Sequence, residues 1–334
     1  MSPDTRPGSL YPIMEAEFQL LAEKRMSIDI PDISIELVNK ATQAAFPPQF
    51  GTIIPILRKE DITVLPDADV INFQQSTAIR EAHPYRAVSY AIEGKELGGS
   101  GDLTFCVKES QAMIQVLPIP GFPIIYPEND LTVDNKVIVE IGVIKSLLHE
   151  TFHRTVVLSD PQSVDPSNPL FKAALAVEIL KKNAAGDYKT KKAAERNYRR
   201  LRDYAATHNP HVVTEGARVI LFCEDDNGNL KRLVESGYDL NEAIVERLTF
   251  HSLPTVKSYV EETSGKEFEK KWYAFLVNLA STNSTYRYKN MLIGIDSYLK
   301  RLKIRTPEEL LFAFSNNEIA SLHLSNNPQD LYSS

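Results

Sequence analysis

Cysteine is scarce in this sequence. The 334 residues include only Cys106 and Cys223, which form neither a CxxC pair nor a zinc-ribbon spacing. Disulfide-rich scaffolds and cysteine-ligated zinc modules are therefore excluded. We expect both residues to be thiols in a reducing compartment, and a disulfide between them stays open on sequence alone.

Long hydrophobic runs are also missing. The longest apolar stretch, residues 137–148, is interrupted by Glu140 and Lys145, so the sequence predicts no transmembrane helix and no membrane partner. The first residues lack the charged start and apolar core of a signal peptide. We therefore expect a cytoplasmic protein, while leaderless secretion, which leaves no sequence trace, stays open.

Basic residues are outnumbered by acidic ones, 37 to 44, which gives a net charge of −7. This balance argues against nucleic acid as a partner of the whole chain. The segment from Lys172 to Arg202 is a local exception, dense in lysine and arginine. We interpret it as the solvated face of helices; the alternative is a surface for an acidic partner or nucleic acid.

Hydrophobic periodicity predicts an α+β fold. Helical patterns occur at residues 11–26, 33–46, 137–157, 171–207, 240–253, 256–279 and 288–302. Strand-like runs occur at residues 52–57, 87–92, 103–107, 112–117, 217–223 and 230–234, the last two separated by an Asn-Gly turn. Together they predict a long helix packed on a small mixed, mostly antiparallel sheet, followed by a mainly helical C-terminal part.

Residues His149-Glu150-Thr151-Phe152-His153 have HExxH spacing inside the predicted helix 137–157. Positions i and i+4 share one helix face, so both imidazoles can reach one Zn²⁺ at about 2.0–2.1 Å. Glu150 would lie beside the remaining coordination position and take a proton from a metal-bound water. The alternative is a surface helix with two unrelated histidines.

A catalytic zinc ion needs a third protein ligand. The HExxHxxGxxH extension is excluded, because Val156 and Ser159 stand where Gly and His are required. A candidate for the third ligand lies in the later segment LNEAIVERL at residues 240–248. There, Glu242 and Glu246 would share one face of a helix.

HExxH followed by a helix bearing Asn-Glu-x-x-x-Glu resembles the gluzincin metallopeptidases, of the thermolysin-like and lethal-factor-like kinds. The resemblance implies a zincin-like core and one zinc ion held by His149, His153 and Glu242, with Glu246 orienting His149 through a hydrogen bond. It covers about residues 138–158 and 238–253. The connection between His153 and Glu242, 88 residues long, exceeds the short one of thermolysin-like enzymes, so substrate preference does not transfer.

The chain is expected to divide at about residue 110. Residues 1–110 would form an N-terminal helical and β region, which is either a separate lobe or a source of strands for the same sheet. Residues 111–334 would form a zincin-like metallopeptidase domain, as the resemblance implies, with a helical insertion at about 165–210.

Each carboxylate of the second segment has a local alternative. Asp239 and Glu242 have the spacing of a capping box, which would give Glu242 a purely local role. Glu246 and Arg247 could likewise be an ordinary solvated pair.

Hydrolysis at zinc also needs a group that stabilises the oxyanion. The candidates are Tyr238, one helical turn before Glu242, and Tyr286 and Tyr288, at the start of a later helix. By analogy with zincin clefts, residues 103–117 could present a sheet edge to an extended substrate.

These observations predict a zinc-dependent endopeptidase that acts on a peptide or protein substrate with Glu150 as general base. The alternative function is a zinc-site regulatory or interaction protein, either a cleaver of a single partner or a leaderless effector, with little general proteolytic activity. The oligomeric state stays open.

Overall fold

The computed structural model describes residues 32–59, 62–66, 103–107, 113–116, 144–145, 147–156, 159, 161–184, 186–226, 228, 230–264 and 289–325. The predicted helices 11–26 and 137–143, the strand 87–92 and the helix segment 265–279 lie outside these residues.

Eight α-helices occur among the described residues. They are α1 (Asp32–Ala45), α2 (described at 144–145 and 147–153), α3 (Pro169–Ala184), α4 (Lys191–Thr207), α5 (Tyr238–Ser264), α6 (Lys289–Arg301), α7 (Pro307–Ser315) and α8 (Glu318–Ser325). A short 3₁₀ helix spans Pro48–Thr52. None of the described helices combines the length and the apolar character needed to cross a bilayer.

The described strands form two antiparallel sheets. The first contains β1 (Ile62–Pro66), β2 (Leu103–Val107) and β3 (Met113–Val116) in that order. The second contains β4 (Gln162–Ser163), β5 (Pro210–Glu215), β6 (Arg218–Glu224) and β7 (Leu230–Ser236), also in chain order. β6 pairs with β5 on one side and β7 on the other, and six of its seven residues are buried.

The described residues form two large apolar cores, one of which packs on the second sheet. Helices α3, α4 and α8 enclose one core around Phe171, Leu175, Leu221 and Val234. The other core surrounds α5, which packs against α1, α6 and α7. Phe152 of α2 is fully buried in this second core, with its ring edge-on to Phe46, the residue that follows α1.

The start of α5 is held against the β5–β6 turn by a close approach of the two backbones. Gly237 has φ +82°, and a side chain there would overlap the Ala217 carbonyl oxygen. Ala217 N donates to Oδ1 of the fully buried Asn241 at 3.0 Å. On the other side of the turn, Gly216 N donates to Asn317 Oδ1. The Gly237 and Asn241 contacts hold the start of α5, which carries Glu242 and Glu246, close to this turn.

The α+β prediction is confirmed at the level of mixed helix and antiparallel sheet. The hairpin of β6 and β7 and the helices at 33–46 and 288–302 are confirmed within a few residues. Thr306 caps α7 in a complete capping box with Glu309, as the Thr-Pro-Glu-Glu sequence indicates. The zincin-like core and the division at residue 110 stay predictions.

The predicted strand at residues 52–57 is wrong. Pro55 lacks the backbone donor that a strand needs, and the chain forms a 3₁₀ helix at Pro48–Thr52 followed by an irregular segment. The Asn39 side chain instead pairs with both backbone groups of Leu57, at 2.9 and 2.8 Å. The helical segment 171–207 is divided into α3 and α4, with Gly186 between them at φ +84°.

Candidate metal centre

Helix α2 brings the two histidines of HExxH onto one face. The rings of His149 and His153 have centroids 4.9 Å apart, and their Nε2 atoms are 3.2 Å apart. Leu147, Leu148 and Phe152 on the same helix are fully buried, so apolar packing anchors α2 and the surface-helix alternative is wrong. The helix ends after His153, earlier than the predicted residue 157.

Glu150 lies in the same group. One ligand atom from each of His149, Glu150 and His153 lies within 4.8 Å of the others, and the Glu150 side chain is buried. This His-Glu-His group could hold a metal ion.

Glu242 reaches the histidine pair from α5. Its Oε2 is 3.3 Å from His149 Nε2 and 3.5 Å from His153 Nε2. The capping-box alternative is wrong, because α5 begins at Tyr238 and Asp239 therefore lies inside the helix. The Asp239 carboxylate pairs with Lys181 at 3.0 Å. Glu242 Oε2 therefore lies close to both Nε2 atoms, beside the His-Glu-His group.

Glu246 contacts the outer side of the His149 ring. Its Oε2 lies 2.9 Å from His149 Nδ1, and the residue is fully buried. A donor at Nδ1 leaves Nε2 of a neutral His149 free to coordinate a metal ion. The alternative pairing with Arg247 is wrong, because Arg247 points to Asp296 at 2.9 Å.

Lys145 also belongs to this centre, although the sequence pattern did not predict it as a site residue. Its Nζ pairs with Glu246 Oε1, so the carboxylate connects Lys145 on one side to His149 on the other. Lys145 precedes His149 by four residues, which places the two side chains on one face of α2. That spacing is the signal that could have identified it.

The buried charges of the centre favour positive charge between the two helices. Burial alone would lower the pKa of His149, but hydrogen bonds with Glu242 and Glu246 raise it to about 10. Burial would raise the pKa of both carboxyls, yet the His153 and His149 rings hold the pKa of Glu242 well below its usual range. Lys145 and His149 likewise lower the pKa of Glu246 to about 2. Both carboxylates therefore stay ionised, and a metal cation would experience the same attraction.

The three tyrosines predicted to stabilise the oxyanion are not among the residues described above at the centre. Tyr238 is partly buried at the start of α5, and the Arg218 guanidinium lies over its ring at 5.3 Å from the centroid. Tyr286 and Tyr288 lie outside the described residues. The function of all three tyrosines stays a prediction, as does the substrate edge at residues 103–117.

The other described histidines have structural partners. His211 Nε2 is 2.9 Å from Glu224 across the β5–β6 pair, His208 stacks on Tyr204, His251 lies 3.2 Å from the Ala45 carbonyl oxygen, and His323 contacts the Tyr298 hydroxyl. Cys223 is a free, buried thiol, and burial raises its pKa to about 11.

Comparisons with known proteins assign no family. No family profile, no curated protein and no solved structure matches this chain significantly.

Proposed function

We propose that this chain is a zinc-dependent endopeptidase of the gluzincin type, with His149, His153 and Glu242 as the protein ligands of one zinc ion. The observation that best supports this proposal is the triangle formed by the Nε2 atoms of His149 and His153 and by Glu242 Oε2. Its sides are 3.2, 3.3 and 3.5 Å. Tetrahedral bonds of about 2.0–2.1 Å place any two ligand atoms about 3.3–3.4 Å apart. The donors already have nearly this spacing.

The chemical nature of the donors supports zinc over the harder divalent cations. Two imidazole nitrogens and one carboxylate form a His₂Glu set, which leaves a fourth position open for catalysis, whereas calcium and magnesium prefer oxygen ligands. Glu246 supports the ligand role of His149, because metal-bound imidazoles usually donate their second ring N–H to a carboxylate or carbonyl.

Glu150 is the proposed general base. It stands between the two histidines in sequence, and its buried carboxylate lies in the same group of donor atoms. When bound, zinc would polarise the scissile carbonyl and acidify the attacking water. Glu150 would take a proton from that water and deliver it to the leaving amine.

Two carboxylates compete for the ligand role, and the spacing of Glu242 supports its assignment. Its Oε2 lies 3.3 and 3.5 Å from the two Nε2 atoms, close to the spacing of tetrahedral zinc ligands, while the Glu150 donor atom lies within 4.8 Å of both histidines. Assigning Glu242 to the metal leaves Glu150 available for proton transfer, which is the division of labour that HExxH spacing favours.

Incubation with a mixed peptide library tests this function. We expect cleavage that a chelator abolishes and that added zinc restores, read by mass spectrometry of the products. A matched incubation of the His153→Ala variant controls for contaminating peptidases. Chelator-resistant cleavage, or equal cleavage by the variant, would contradict the proposal. Zinc binding without any cleavage would favour the alternative of a regulatory or interaction protein.

A further inference from the structure

Helices α3 and α4 and the loop between them carry a strongly basic surface. We call it the basic face; it consists of Lys181, Lys182, Lys189, Lys191, Lys192, Arg196, Arg199, Arg200 and Arg202. All nine side chains are exposed. Hydrophobic residues between them, including Tyr188, Tyr198 and Leu201, pack inward on the core of the second sheet.

The charge of the basic face contrasts with the rest of the chain. Residues 181–202 contain nine basic residues and only two acidic ones, Asp187 and Glu195. The rest of the chain has 28 of the 37 basic residues and 42 of the 44 acidic residues. Positive charge is thus concentrated in one helical pair of an acidic protein.

Most of these cations have no anionic partner within the described part of the chain. Lys181, Lys182 and Arg202 form ion pairs with Asp239, Glu178 and Asp203. The described residues offer no ion pair to the other six, Lys189, Lys191, Lys192, Arg196, Arg199 and Arg200. On α4, Lys192, Arg196 and Arg200 follow one another at four-residue intervals, a spacing at which like charges destabilise a helix.

The basic face reaches the helix that carries the proposed metal ligand. Lys181 Nζ is 3.0 Å from Asp239 Oδ2, in the first turn of α5. Asp239 precedes Glu242 by three residues, which is about 4.5 Å along the helix axis. Lys181, at one end of the basic face, therefore contacts α5 about one helical turn from Glu242.

We propose that the basic face binds an acidic segment of the protein substrate and thereby directs the scissile region to the metal centre. That the bound segment belongs to a substrate rests on the proposed endopeptidase function. The binding of an acidic polypeptide does not depend on that function. Unpaired, exposed cations attract anionic partners through solvent and accelerate their association, and this attraction weakens as salt is added.

The aromatic residues of these helices favour a polypeptide over a single-stranded nucleic acid. Nucleic-acid grooves present open ring faces on which bases stack. Here Tyr188 and Tyr198 pack inward, and the exposed Tyr204 is already stacked on His208 with centroids 3.9 Å apart.

Fluorescence anisotropy with the full chain tests the proposal. The probes are a labelled Glu-Gly repeat peptide, the matching Gln-Gly peptide and an oligothymidylate of equal length, all in chelator. The test variant changes Lys189, Lys191, Lys192 and Arg196 to Gln. A control variant with the same loss of charge changes the exposed Lys40, Lys300, Lys303 and Arg305 to Gln.

We expect the acidic peptide to bind wild type in a salt-dependent manner and the Gln-Gly peptide not to bind. The test variant should bind the acidic peptide about tenfold or more weakly, and the control variant within about threefold of wild type. Equal weakening in both variants would overturn the proposal, because it would reflect net charge alone. Tighter binding of the oligothymidylate would overturn it in favour of nucleic acid.

A kinetic arm separates this proposal from the endopeptidase function. Joining the Glu-Gly repeat to a peptide that the protein cleaves should lower KM about tenfold in wild type but leave KM unchanged in the test variant, with kcat equal in both. Absence of all cleavage would contradict the endopeptidase function while leaving peptide binding in chelator as the test of the basic face. Normal cleavage with no effect of the acidic repeat would contradict only the proposal made here.

Discussion

Replacing Glu150 by glutamine is expected to lower kcat/KM for peptide hydrolysis by about 10²–10⁴-fold, the usual contribution of a general acid–base group. Glutamine keeps the shape of the side chain but cannot accept a proton from water. Zinc affinity should stay within a few-fold of wild type, because the proposed ligand atoms of His149, His153 and Glu242 already lie within 3.5 Å of one another. The measurements are steady-state kinetics on a cleaved library peptide and a zinc titration of the same preparation.

Arg247→Gln is the matched control for the Glu150 variant. Arg247 follows the buried Glu246 on α5, but its side chain points away from the centre to Asp296. Its substitution should change neither kinetics nor zinc affinity. Turnover close to wild type in Glu150→Gln would remove Glu150 from the mechanism, and a large loss of zinc affinity in that variant would make it a ligand instead.

The second large effect is expected at Gly237, where the Gly237→Ala substitution should lower the free energy of unfolding by about 2–5 kcal/mol. Two costs combine there. The residue has φ +82°, and the new methyl group would overlap the Ala217 carbonyl oxygen. Relief of that overlap requires the start of α5 to move, so zinc affinity should fall as well. Denaturant unfolding and zinc titration measure the two effects.

Gly186→Ala separates the two costs at Gly237. Gly186 has nearly the same φ, +84°, but a methyl group there would meet no atom within 4 Å. Its substitution should therefore cost only the backbone strain, about 1–2 kcal/mol, with zinc affinity unchanged. If both variants were equally stable, the approach of the β5–β6 turn to α5 would not restrain the helix that carries Glu242.

Much of the centre could be predicted from helical spacing alone. His149 and His153 are four residues apart, as are Glu242 and Glu246, and each pair does share a helix face. The approach of the two helices could not be derived from periodicity, because His149 and Glu246 are 97 residues apart in the chain. Here the resemblance to a known active site supplied the pairing that spacing does not encode.

Other features depend on tertiary contacts that leave a weaker trace in the sequence. β5, at Pro210–Glu215, was not predicted, because Pro210 and two nearby histidines indicate a loop. Proline is tolerated as the first residue of a strand, and the Val-Val-Thr that follows is strand-like. The restraint on α5 combines a close backbone approach of Gly237 to Ala217 with a hydrogen bond from Ala217 N to the Asn241 side chain, so no local sequence pattern indicates it.

Equilibrium zinc titration against a chromogenic chelator tests the metal centre most directly, using wild type, Glu242→Ala and Glu150→Ala. Wild type should bind one zinc ion per chain. Loss of an outer hydrogen-bonding partner usually weakens metal binding about 10–100-fold, so loss of a direct ligand in Glu242→Ala should weaken it by more than about 100-fold. Glu150→Ala should stay within about tenfold of wild type. Failure of wild type to bind zinc, or a greater loss in Glu150→Ala than in Glu242→Ala, would contradict the assignment of His149, His153 and Glu242 as the metal ligands.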